Sequence, residues 1–159
     1  MVIWIIGRSG SGKTFFSKKL YNYFYKKKIN CFLVDGDEVR KYLNYKLKYT
    51  QKDRKINSQK IQDLCLYLEK KRYLVICSIQ SIFKDHQLKN KKKFKLYKQI
   101  YLKVDEKIFN KRKSKLAKFK KNVVGKDIKF PEPYKSDLTI LNDFKNYNTK
   151  LKKIINFLK

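Results

Sequence analysis

Long apolar runs are missing from this sequence. The opening run, MVIWII, is six residues long, against the roughly 20 that cross a bilayer, so no membrane-spanning helix and no membrane partner are expected. It leads straight into a glycine turn and lacks the longer apolar region and cleavage site of a signal peptide. A cytoplasmic protein is the expectation. Cysteine is scarce: Cys31, Cys65 and Cys77 are odd in number, lack metal-ligand spacing and sit in apolar runs. They are expected to be reduced core thiols. Arginine is scarce as well, five of the 42 basic residues, and lysine is spread over nearly every segment. Bidentate reading of bases and phosphates favours arginine. The net charge of +29 is therefore read as a lysine-rich composition rather than a nucleic-acid surface, although its field would draw in anionic nucleotides. There is no internal repeat, no linker and no NKxD-type guanine-reading segment, and the 159 residues fit one domain.

What is present is an alternation of strands and helices. Hydrophobic residues make up 42% of the chain, enough for a core. Strands are predicted at Val2–Ile6, Cys31–Val34, Tyr73–Ser78, Gln99–Val104 and Leu138–Leu141. Helices are predicted over 13–28, 37–44, 52–71, 83–97, 105–113 and 147–158. This pattern predicts an α/β fold, a five-stranded parallel sheet covered on both faces.

Between the first strand and first helix lies GRSGSGKT, Gly7–Thr14, a gapless GxxxxGK[ST] in a strand–turn–helix setting. Gly7, Gly10 and Gly12 let backbone N–H groups, including those of Arg8, Ser9 and Ser11, converge on phosphate oxygens at a helix N-terminus. Lys13 reaches the outer phosphates and Thr14 supplies a hydroxyl for Mg²⁺, so ATP with magnesium is the expected donor. Asp35 ends the neighbouring strand at the active crevice, suited to orient or deprotonate an acceptor hydroxyl directly or with the metal. Asp37 is either the N-cap of the next helix or an acceptor contact. Arg40 and Arg54 offer cationic forks to an acceptor anion, or are surface residues.

At this point the chain resembles the adenylylsulfate kinases, P-loop enzymes that phosphorylate the 3′-hydroxyl of adenylyl sulfate. IIGRSGSGKT, LVDGDEVRKYLN, DRKIN, SIQSIF, IYLKVDEKIFNKR, NVVGKDIKFPEP and DLTI occur in the family's order. The resemblance implies that Asp35, Asp37 and Arg40 form its DGDxxR motif and that Tyr49 stacks on the acceptor base. It implies further that Arg54 and Asn57 hold the acceptor nucleotide, Ser81 lies beside both pockets, and Arg112 packs on the ATP adenine. Gly125 and Asp127 would belong to a closing segment within a short lid at about 114–130, with Pro131 and Pro133 shaping its end. A homodimer is also implied. Without the motif, Tyr49 reads as a partly buried helix-end residue, Asn57 and Arg112 as solvated, and Ser81 as a helix cap.

The departures fall on the acceptor side. Gln59 and Lys60 stand where the family has arginines, which predicts a weaker grip on the acceptor anion. Ile82 replaces a proline, the lid is shortened, and Val123 and Val124 replace an aromatic and a threonine. An unaltered donor half with a changed acceptor half suggests the same chemistry on a related nucleotide. Adenylyl sulfate is the expectation from the family. The alternative is cytidine diphosphoramidate, the acceptor of a branch that serves bacterial capsule modification. Rival readings are a kinase for a nucleoside monophosphate or sugar acid, a non-catalytic nucleotide-binding module, and a nucleic-acid protein switched by the P-loop.

Overall fold

The computed structural model describes residues 1–43, 46–110, 124 and 127–159. Strand β1 (Val2–Ile6) lies at the centre of a five-stranded sheet of order β2-β3-β1-β4-β5, every pairing parallel. The other strands are β2 (Cys31–Asp35), β3 (Leu74–Ile79), β4 (Tyr97–Lys103) and β5 (Leu138–Leu141). All five residues of β1 are buried, because a central strand with helices on both sides has no solvent face. Its side chains alternate between two cores. Val2, Trp4 and Ile6 join Val39, Ile61, Cys65 and Leu68, whereas Ile3 and Ile5 join Phe16, Leu20, Phe24 and Ile154.

Those partners define the layers. Helices α1 (Lys13–Lys26) and α6 (Tyr147–Leu158) cover one face, and α2 (Gly36–Tyr42), α3 (Gln51–Lys70) and α4 (Lys84–Lys93) lie toward the other. The described part of α5 is 106–110. Phe16, Leu20 and Phe24 recur every four residues along α1 and so share its buried stripe. The α/β fold with its five-stranded parallel sheet is the one expected from the sequence, and it is a P-loop NTPase-like kinase fold.

Two boundaries and the burial of one cysteine differ from expectation. Helix α4 ends at Lys93, not near Tyr97: Phe94 is already extended and packs on Trp4 and Tyr97 at 6.3 and 5.8 Å between ring centres. Burying that ring outweighs continuing a lysine-rich helix. Strand β4 accordingly begins at Tyr97. Cys31 is half-buried rather than a core residue, while Cys65 and Cys77 are buried, and all three thiols are free. Among the described residues no helix is long and apolar enough to cross a membrane.

Candidate active site

The connection from β1 runs to one side of it and β4 lies on the other, so the strand order reverses beside the carboxyl end of β1, where a crevice opens. The loop Gly7–Thr14 fills that end. Its shape depends on missing side chains. A Cβ on Gly7 would lie 2.3 Å from Ser11 Oγ and 2.9 Å from the Leu102 carbonyl oxygen. Gly12, at φ +94°, caps α1 and would meet Asn142 Nδ2 at 2.8 Å. Among the described residues no side chain caps α1, and no acid occupies its first turn, so its N-terminal N–H groups and positive dipole end face the crevice.

Lys13 Nζ donates to the Arg8 carbonyl at 2.8 Å. Desolvation lowers its pKa to about 8, against the opposing pull of Asp37 and Asp35. Arg8 leaves the crevice: its guanidinium pairs with Glu106 at 2.7 Å and lies 5.1 and 5.7 Å from the rings of Phe109 and Phe130.

Asp35 is the hub of the opposite wall. Its Oδ2 accepts from Thr14 Oγ1 at 2.9 Å and from Ser78 Oγ at 2.8 Å, and its Oδ1 accepts from the Asp37 N–H at 2.9 Å. Asp35, not Asp37, is therefore the N-cap of α2. The cap reading of Asp37 is corrected: its carboxylate is exposed in the first turn, where it attracts Lys13, Arg40 and Arg54. Hard oxygens converge at the loop mouth from Thr14 and Asp35, a donor set that suits Mg²⁺ shared with phosphates. Among the described residues no group of three or more histidine, cysteine or acidic side chains could hold a metal ion.

A cleft of about 510 Å³ runs from this mouth past Asp37, Arg40, Arg54, Asn57 and Ser81. Arg40 is buried and donates to the Lys48 carbonyl. Arg54 Nε donates to the Tyr49 carbonyl at 3.0 Å and Nη1 to Gln80 Oε1 at 2.7 Å. Burial lowers the pKa of both arginines. Asn57 is buried, not solvated, with Nδ2 donating to the Gly36 carbonyl at 3.3 Å. Tyr49 is exposed and is not on the cleft wall. Its ring lies 5.0 Å from the Arg40 guanidinium and 5.4 Å from that of Arg54.

Ser81 is buried at φ +49°, its Oγ without a hydrogen bond among the described residues, its carbonyl accepting from Gln87 Nε2 at 2.7 Å. It is not a helix cap, since Phe83 holds that position for α4. Gln59 faces away: its amide donates to Asp63, one turn further along α3, at 3.1 Å. The expectation that position 59 bears on the acceptor is corrected, because the residue lies outside the cleft lining. Asp127 is exposed next to the Val124–Ile128 bridge and also outside that lining. Arg112, Gly125, Val123 and most of the expected lid at about 114–130 lie outside the described residues.

Several cleft residues are not singled out by the sequence. Asn142 is fully buried, donates Nδ2 to the Ser11 carbonyl at 2.9 Å, and accepts from the Phe144 N–H at 3.1 Å. It fastens the glycine loop to the segment after β5. Phe15 and Tyr147, 4.9 Å apart between ring centres, line the donor end with Phe144. Ser78 and Gln80 follow from β3 ending beside Asp35. Only the last pair had a signal, the polar SIQS run that breaks an apolar strand.

The family model for adenylylsulphate kinase matches residues 1–141. A cytidine diphosphoramidate kinase from Campylobacter jejuni is 33% identical over 151 residues, 91% of this chain and 88% of that protein. An adenylyl-sulfate kinase from Clostridium kluyveri is 27% identical, over 99% of this chain and 83% of its own. The solved structure of Mycobacterium tuberculosis APS kinase CysC in complex with AMPPNP and APS superposes with a TM-score of 0.88. It covers 99% of this chain and 96% of its own at 21% identity, a likeness of fold. Loop, crevice and matched length agree, and the chain belongs to the adenylylsulfate kinase family of P-loop phosphotransferases.

Proposed function

We propose that this protein is an ATP-dependent kinase that phosphorylates the ribose 3′-hydroxyl of a small nucleotide. The observation that carries the reading is Asp35: its carboxylate joins the Thr14 and Ser78 hydroxyls at the mouth of the glycine loop, with Arg40 and Arg54 along the same cleft. A group that must align a hydroxyl for in-line attack belongs between a phosphate cradle and an anion site.

Gly7–Thr14 hold the phosphates of ATP. Lys13, released from the Arg8 carbonyl, places its ammonium on the outer phosphates, and their charge keeps it protonated. Thr14, with Asp35 beside it, would hold Mg²⁺, which would supply charge neutralisation for the transferring phosphoryl group. Asp35 orients the acceptor hydroxyl and takes its proton. Arg40, Arg54 and Asn57 hold the acceptor, whose far end carries an oxyanion. Phe15, Phe144 and Tyr147 offer aromatic surface to the donor base, alongside the role suggested for Arg112. Closure by the 114–130 segment, with Gly125 and Asp127, would exclude water, and a dimer is consistent with the family.

Two acceptors have specific support. Cytidine diphosphoramidate is favoured by 33% identity over nearly the full length of a kinase of that name. Adenylyl sulfate is favoured by the family model. ADP release measured with each, alongside nucleoside monophosphates and gluconate, decides between them. Acceptor-dependent release from one nucleotide is expected, and none with any would overturn the reading.

A further inference from the structure

We propose that Gln80 sets acceptor binding by orienting the Arg54 guanidinium without cancelling its charge. The inference rests on reading Arg40 and Arg54 as the pair that meets the acceptor's oxyanion. Gln80 directly follows β3 and sits half-buried on the cleft wall between Ile79 and Ser81. Its Oε1 accepts from Arg54 Nη1 at 2.7 Å, while Arg54 Nε donates to the Tyr49 carbonyl at 3.0 Å. These two bonds come from separate segments, the end of β3 and the approach to α3, and together they fix the plane of the fork.

Both of these acceptors are neutral, and the carboxylate that attracts the two arginines, that of Asp37, is exposed on the same cleft lining. The partner of Arg40 is likewise a backbone carbonyl, that of Lys48. Two guanidinium groups beside one tyrosine ring, partly withdrawn from water, oppose one another, and Arg40 contributes to depressing the pKa of Arg54. A carboxylate at position 80 would relieve that repulsion and bond the fork at least as well. It would also consume the charge that an anionic substrate needs. A carboxamide has nearly the same shape and supplies orientation alone. Gln80 is thus a positioning residue, and the chemical class it selects is an oxyanion-bearing acceptor such as a phosphate, sulfate or phosphoramidate ester.

Gln80→Glu and Gln80→Leu separate this role from simple packing. In steady-state ADP release with the acceptor that the unaltered protein uses, Gln80→Glu is expected to raise the acceptor KM by about tenfold or more. The KM for ATP should stay within about twofold, and Gln80→Leu should raise the acceptor KM by less than Gln80→Glu does. The opposite order, with Glu tolerated and Leu damaging, would make Gln80 a packing residue and overturn the proposal, as would an unchanged acceptor KM in both.

A second readout is independent of the acceptor. With the loop filled by magnesium and a non-hydrolysable ATP analogue, inorganic sulfate is titrated into ¹⁵N-arginine-labelled protein. The Arg54 Nε signal, identified by its loss in Arg54→Lys, is expected to need about tenfold more sulfate to shift in Gln80→Glu than in the unaltered protein. If that contrast appears without acceptor-dependent ADP release, the kinase reading fails and the role of Gln80 stands. If ADP release depends on an acceptor but the sulfate response is the same in both proteins, or absent from both, the Gln80 proposal fails alone.

Discussion

At the scale of single residues, Lys13 and Asp35 make separable predictions. Lys13 is desolvated, with its pKa lowered to about 8, so its charge burdens the fold, and on the proposed reading it would serve the phosphates. Lys13→Ala should cut kcat/KM by about a hundredfold or more, while Tm stays the same or rises. A fall of more than about 5 °C would instead make the ammonium a structural tie. The depressed pKa also fixes a sign. Between pH 8 and 10.5 the folded protein holds fewer protons at Lys13 than the unfolded chain, so this group's contribution to stability rises with pH across that window. Bound phosphates restore the ammonium. ATP binding at about pH 9 should therefore take up a proton, read by calorimetry in buffers of different ionisation enthalpy. No uptake would contradict contact between Lys13 and phosphate. For Asp35, the cap and the chemistry come apart. Asp35→Asn keeps an N-cap as good as aspartate but loses the carboxylate, so activity should fall about a hundredfold or more with little change in Tm. Asp35→Ala should lose both, with about 1 kcal/mol of stability in chemical denaturation.

At the scale of elements, the helix ends show how a chain with five glycines manages its turns. Helices α1 and α3 both close with paired reverse bonds: Ile29 N–H to the Phe24 carbonyl and Lys28 to Tyr25, then Tyr73 to Leu68 and Arg72 to Glu69. This closure needs a left-handed residue, and Lys28 at φ 58° and Arg72 at φ 66° occupy it. A side chain there is strained by about 1 kcal/mol relative to glycine. Lys28→Gly and Arg72→Gly are expected to raise stability by up to about that amount each, measured by urea denaturation, and a loss would show that the basic side chains make compensating contacts. The start of α3 is conventional. Thr50 caps the Asp53 N–H at 3.2 Å and donates to the Asp53 carboxylate at 2.7 Å, which assigns Asp53 to the helix end rather than to chemistry.

At the scale of the whole molecule, the charge of +29 matters through its long-range field. On the proposed reading Arg40 and Arg54 would meet the acceptor's oxyanion at short range, and the lysines would act from further away through solvent. Raising ionic strength from about 0.05 to 0.5 M should raise KM for the acceptor nucleotide several-fold while kcat changes little. A KM insensitive to salt would confine recognition to the cleft.

The sequence by itself determined the sheet, the phosphate loop and the order of the family motifs. Each is written locally: an apolar run for β1, glycines where a side chain would collide, and hydroxyl and ammonium groups next to them in the chain. Asp35 was legible for the same reason, since it ends a strand whose place beside the loop follows from α/β topology. Tertiary structure decided what depends on approach between distant segments. Only in three dimensions does Asn142 reach Ser11 across 131 positions, or Gln80 meet Arg54, or Gln59 turn out to face Asp63 outside the cleft. A side chain's motif position records which helix it is on. Which way it points is settled by what the neighbouring elements bury, and that information is spread over the whole chain.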